Sequence, residues 1–192
     1  SKGTVWTEIV TEKIRKQQEL LVSLGKNEAA LLGKYLTEIQ FNDATNREGH
    51  AAKVYFDTLF GKDFTRSLEI PINAALNYGY TIFLSAVNRE IVKCGYITQL
   101  GLFHNNIFNQ FNLGSDLMEP FRPIVDAKVY QMQPDKFEHE EKIEIINLLN
   151  STVLIDGKEQ FLNNAIGIYV RSVFDAINDN DISLLRFYSN EL

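Results

Sequence analysis

Apolar residues recur along this chain at intervals of three and four rather than in alternation, the spacing of helices with one buried face. Trp6, Ile9, Val10, Ile14, Leu20, Leu21 and Leu24 follow that rhythm. Residues 4–24 are therefore expected to form an amphipathic helix that Gly25 ends. A shorter helix is expected over 28–39. Either Asp43 or Thr45 stands where it can cap the next helix, whose apolar face carries Ala52, Tyr55, Phe56 and Leu59 and which Gly61 stops. Glu48 falls in its first turn or two. Pro71 suits a helix start, and 72–94, the most apolar segment, is expected to be the central buried helix.

Signals are mixed over 95–114, where Asn105, Asn106 and Gly114 favour a loop that contains His104. Ser115 can cap a helix running to about residue 132. Pro120 and Pro123 must disturb its early turns, because each removes a backbone donor. Residues 138–150 read as helix, 152–161 as a hairpin around Asp156-Gly157, 162–177 as helix, and 182–188 as a short helix. The fold class expected is mainly α, a multi-helix domain with one small β-hairpin. No repeat or linker divides residues 1–192.

Composition adds limits. With 45% hydrophobic and 23% charged residues the chain is ordinary for one globular core. Apolar stretches such as 78–87 are too short to span a bilayer, so no membrane partner is expected. The opening Ser1-Lys2-Gly3-Thr4 lacks the pattern of a secretory signal, and Cys94 is the single cysteine, so a cytoplasmic location is expected. The missing initiator Met suggests a processed chain or a piece of a longer one. A net charge of -6 argues, taken alone, against a nucleic-acid binder. The average hides an asymmetry: residues 1–134 carry 14 acidic and 14 basic side chains, and 135–192 carry 11 and 5. The balanced part could still hold a local DNA-facing patch.

Familiar catalytic patterns are missing. No Gly-Lys pair is followed by the Ser or Thr of a phosphate loop, there is no G-x-S-x-G elbow, and His139-Glu140 lacks the second histidine of a zincin helix. What remains is a set of separated polar residues: Glu48, His104, and Asp116 with Glu119, which lie three apart and so share a helix side. Two carboxylates and an imidazole could meet around a divalent metal. Spacing alone does not separate that from a solvated surface.

At these residues the sequence resembles the helical C-terminal domain of the family called CRISPR-associated protein one, the integrase of CRISPR spacer acquisition, and most of all its type II branch. The resemblance rests on Trp6-Thr7-Glu8-Ile9 through Lys13-Ile14 and Gln17, on Arg47-Glu48-Gly49, and on Asn73-Ala74-Ala75-Leu76-Asn77-Tyr78-Gly79-Tyr80. Gly101-Leu102-Phe103-His104 and Asp116-Leu117-Met118-Glu119-Pro120-Phe121-Arg122-Pro123-Ile124-Val125-Asp126 complete it, in family order.

The resemblance implies that Glu48, His104 and Glu119 are catalytic metal ligands, with Asp116 as a supporting group one turn earlier. Many members have Asp at the position of Glu119, so the carboxylate here sits on a longer arm. The implied cofactor is Mn2+ or Mg2+, with Mn2+ preferred because it accepts nitrogen more readily. Arg47, Arg122 and Arg66 are candidate phosphate contacts. The implied reaction is a DNA transesterification that inserts new spacers into a repeat array. The implied partners are prespacer and repeat DNA, a second copy in the full-length protein, a small ferredoxin-like companion protein, and in type II systems the effector nuclease and a ring-forming DNA-end-binding protein. Members also carry an N-terminal β-rich domain that this chain lacks, so it is expected to be the catalytic domain of a longer two-domain protein. Two other readings stand beside this one: an acidic helical interaction module without catalysis, and a generic branched-DNA nuclease.

Overall fold

Val5, Ile9, Val10, Ile14 and Leu21 are buried along one face of α1 (Lys2–Ser23), as their spacing requires. The helix begins before residue 4 because the Ser1 hydroxyl accepts the Thr4 N–H and caps it. The computed structural model describes residues 1–95 and 112–190. In chain order α1 is followed by α2 (Ala29–Glu38), α3 (Arg47–Phe60), α4 (Pro71–Lys93), α5 (Asn112–Met118), α6 (Arg122–Met132), α7 (His139–Ile146), the strands β1 (Thr152–Ile155) and β2 (Lys158–Phe161), and α8 (Leu162–Asn178). The mainly helical class with one hairpin is as the sequence indicates.

α4 is the central helix. Ala75, Leu76, Tyr80, Phe83, Val87 and Ile91 are buried on it, and it packs against α5, α6, α7 and α8. A close approach to α6 is possible because residue 79 is glycine; a Cβ there would fall on a methyl of Val125 and within 3.3 Å of Ile145. α1 lies against α2, α3 and α6 on the other side, so the starts of α3 and α6 converge beside the middle of α1.

Three local expectations need correction. Asn46, in the left-handed region, is the N-cap of α3 and accepts the Gly49 N–H. Asp43 assists by accepting the Arg47 and Glu48 N–H groups, whereas Thr45 does not cap. The single helix expected from Ser115 is two helices: α5 starts at Asn112 with Ser115 inside it, and a 3-10 turn over Glu119–Phe121 separates it from α6. The break falls where Pro120 and Pro123 withhold their donors. The helix expected over 182–188 shrinks to one 3-10 turn, Ile182–Leu184. Beyond it Ser189 pairs with Leu154 of β1, and the Tyr188 hydroxyl donates to the Pro120 carbonyl at 2.7 Å. The hairpin turn uses Asp156 and Gly157 at φ 52° and 77°, the positive values such a two-residue turn demands. No helix among the described residues is long and apolar enough to cross a membrane.

Candidate active site

Lys13 stands on α1 among apolar neighbours, Glu48 in the first turn of α3, Glu119 at the α5–α6 break and Arg122 at the start of α6. The packing of these elements joins all four side chains. The Lys13 ammonium donates to Glu48 Oε1 at 2.9 Å and pairs with Glu119 Oε2. The other oxygen of Glu119 accepts from Arg122 Nε at 3.0 Å, a contact between residues one helical turn apart. Lys13 and Glu119 are each 12% exposed and Glu48 is 26% exposed, so the cluster opens to solvent on the Glu48 side.

Burial pushes the Glu119 carboxyl up, but the Lys13 and Arg122 charges outweigh it and hold its pKa below the ordinary value. Burial likewise pushes the Lys13 ammonium down, and Glu119 and Glu48 together reverse that and raise it. Both groups are charged at neutral pH.

Behind this cluster lies a second one. Asp126, on α6 and 1% exposed, accepts a hydrogen bond from the Tyr55 hydroxyl of α3 at 2.6 Å and another from the Tyr80 hydroxyl of α4. Burial pushes its carboxyl up to about 6, although the two hydroxyls act the other way. Arg122 lies over the Tyr80 ring, 4.5 Å from its centre, and Arg66 lies 5.3 Å from the same centre. Arg66 is held there by the side-chain oxygens of Asn73 and Asn77. Asn73 also donates to the carbonyls of Thr65 and Leu68, so it fixes the loop before α4.

The structure thus brings together Glu48 and Glu119, and, at Tyr80, Arg122 and Arg66. Asp116 is buried on α5 one turn before Glu119. Arg47 is committed elsewhere: its guanidinium donates to Glu38 at 2.8 Å and to the Thr45 carbonyl, and lies over Tyr35. His104 lies outside the described residues. Among the described residues no three acidic, histidine or cysteine side chains form a group that could hold a metal ion. The two carboxylates do fit one: their oxygens come from separate elements and meet at a single cationic point, which suits a hard cation with oxygen ligands.

Sequence pattern alone assigns no role to Lys13, Tyr80 or Asp126. The signal for Lys13 was its place between Ile9, Val10, Ile14 and Gln17, on the buried side of an amphipathic helix where a charge needs partners. His50 lies near the Tyr35 ring, and His139 is the first residue of α7.

Comparison with known proteins adds a family to this geometry. Residues 3–154 match the family described as CRISPR associated protein Cas1. The chain is 40% identical over 132 residues to the CRISPR-associated endonuclease Cas1 of Neisseria meningitidis serogroup C (strain 8013), an alignment covering 68% of this chain and 43% of that one. It is 29% identical over 150 residues to CRISPR-associated endonuclease Cas1 1 of Thermodesulfovibrio yellowstonii, covering 65% and 47%. The chain therefore spans less than half the length of these curated relatives. Among solved structures its fold is similar to that of a partial Cas6-RT-Cas1–Cas2 complex, with TM-score 0.80 and 19% identity over 100% of this chain and 69% of that one. It is also similar to a casposase bound to integration product, with TM-score 0.75 and 20% identity over 93% and 61%.

Proposed function

The chain belongs to the Cas1 family, and from that membership we propose that it is the helical catalytic part of a metal-dependent DNA endonuclease and integrase of CRISPR adaptation. The observation that carries the reading is the meeting of Glu48 and Glu119 at one cationic point. These carboxylates, with His104 as the family resemblance implies, would hold Mn2+ or Mg2+. When bound, such an ion supplies Lewis acidity toward a phosphoryl oxygen and offsets charge in the transition state.

The chemistry proposed is transesterification. The 3′-hydroxyl of an incoming DNA strand forms a bond to phosphorus at the edge of a repeat, the existing P–O3′ bond breaks, and the proton of the attacking hydroxyl passes to the departing oxygen through solvent. No nucleotide is consumed. Arg122 orients Glu119 by holding one of its oxygens, and with Arg66 it offers guanidinium donors to the non-bridging oxygens of the DNA backbone. Names of similar proteins, an endonuclease, a Cas1–Cas2 complex and a casposase on its integration product, support DNA and a small companion protein as partners. In the longer protein a second copy is the further partner proposed.

Calorimetric titration with Mn2+ tests the site. The wild type should show one site, and Glu48→Ala or His104→Ala should weaken it at least tenfold. In the full-length protein, Glu119→Gln keeps the shape but removes the charge and should abolish metal-dependent strand transfer with the fold intact. Unchanged affinity in either alanine variant, or retained activity in Glu119→Gln at saturating Mn2+, would overturn the ligand set.

A further inference from the structure

Among the described residues, Lys13 is the one side chain that contacts both carboxylates, and its position has consequences for how a divalent ion enters. Its ammonium lies 2.9 Å from Glu48 Oε1 and in contact with Glu119 Oε2, so it occupies the region those two oxygens share. A divalent ion bound by the same oxygens would sit about 2.1 Å from each. Added to the 2.9 Å lysine contact, that puts the two cations no more than about 5 Å apart. Lys13 is 12% exposed, so little water stands between them to screen the repulsion. The two cations compete for one place.

We propose that Lys13 is the internal counter-ion of the Glu48–Glu119 pair and that a divalent cation binds by exchange with its ammonium. The proposal rests on the reading of these carboxylates as metal ligands. The local design suits exchange. Lys13 carries its charge on a flexible four-carbon stem that can swing away without moving α1. Arg122 holds the other oxygen of Glu119, Oε1, so the carboxylate keeps its orientation and Oε2 stays aimed at the shared point when the ammonium leaves. Until then the ammonium holds together the carboxylates of α3 and of the α5–α6 break, which would otherwise repel each other.

The exchange predicts opposite effects on ion affinity and on ion-free stability. Lys13→Met keeps the apolar stem and removes the charge. By calorimetry it should bind Mn2+ about tenfold more tightly than the wild type, the scale expected when one like charge is removed from a poorly screened site. In chelator it should melt several degrees lower, and Mn2+ should raise its melting temperature more than it raises that of the wild type. Lys13→Arg, which keeps the charge, should bind no more tightly than the wild type. A measurement on the unaltered protein stands apart from any folding defect: acetic anhydride labelling of Lys13, read by peptide mass spectrometry, should rise severalfold when Mn2+ is added. Equal or weaker Mn2+ binding by Lys13→Met, or Lys13 labelling unchanged by an ion that does bind, overturns the exchange and leaves the metal site standing. Absence of Mn2+ binding in both wild type and Lys13→Met overturns the metal site and the exchange with it.

Discussion

At the scale of single residues, burial moves the Asp126 carboxyl into a pH range where its titration bears on stability. Its carboxyl rises from 3.8 to about 6 on burial, so the folded state holds the proton more tightly than the unfolded chain does. Stability from this group is therefore fully present below about pH 4, falls as the pH rises through 6, and is level above that. A shift of this size corresponds to about 3 kcal/mol. Asp126→Asn cannot ionise and still offers hydrogen bonds to Tyr55 and Tyr80. Urea unfolding at pH 4 and pH 7 should show the stability of the wild type relative to this variant decreasing by up to about 3 kcal/mol as the pH rises. A difference independent of pH would mean that Asp126 stays ionised, held by the hydroxyls and by Arg122. Tyr80→Phe should loosen the same unit, because the Tyr80 hydroxyl binds Asp126 while its ring lies under Arg122.

At the scale of elements, the tight crossing of α4 and α6 sets how far Arg122 stands from Tyr80. Gly79→Ala puts a Cβ on the Val125 methyls, and with Val125 fully buried the helices must part; a destabilisation of about 1–3 kcal/mol in chemical unfolding is expected. Much of this layout was legible beforehand. The apolar period of α1 and α4 and the Asp156-Gly157 turn are local signals, and each element forms where those signals lie. The α5–α6 break was legible only as a disturbance, since Pro120 and Pro123 forbid regular bonding without saying which turn yields. Tyr188 does not continue the expected helix because its position is fixed by partners far along the chain, Pro120 and Phe121, rather than by its neighbours. The carboxylates Glu48 and Glu119 were reached through motif resemblance. Lys13 was not, because a lysine within an amphipathic helix carries no mark of which distant charges it meets; that appears only when α3 and α6 are docked on α1.

At the scale of the whole molecule, charge separates the site from any strong general attraction to DNA. The cationic groups at Glu119 are matched by carboxylates, and the excess negative charge lies in residues 135–192. Phosphate binding without a net basic field is weak at physiological salt. Fluorescence anisotropy with a short duplex at about 150 mM salt should give a dissociation constant of about 10 µM or weaker for this chain alone. Tight binding there would show a basic surface of its own. The central claim, that Glu48 and Glu119 form a cation site shared with Lys13, is tested most directly by anomalous diffraction at the manganese edge from crystals soaked in MnCl2. The account predicts a peak between the two carboxylates with the Lys13 ammonium swung away from them; well-ordered Glu48 and Glu119 still joined by Lys13, with no peak between them at saturating Mn2+, would contradict it.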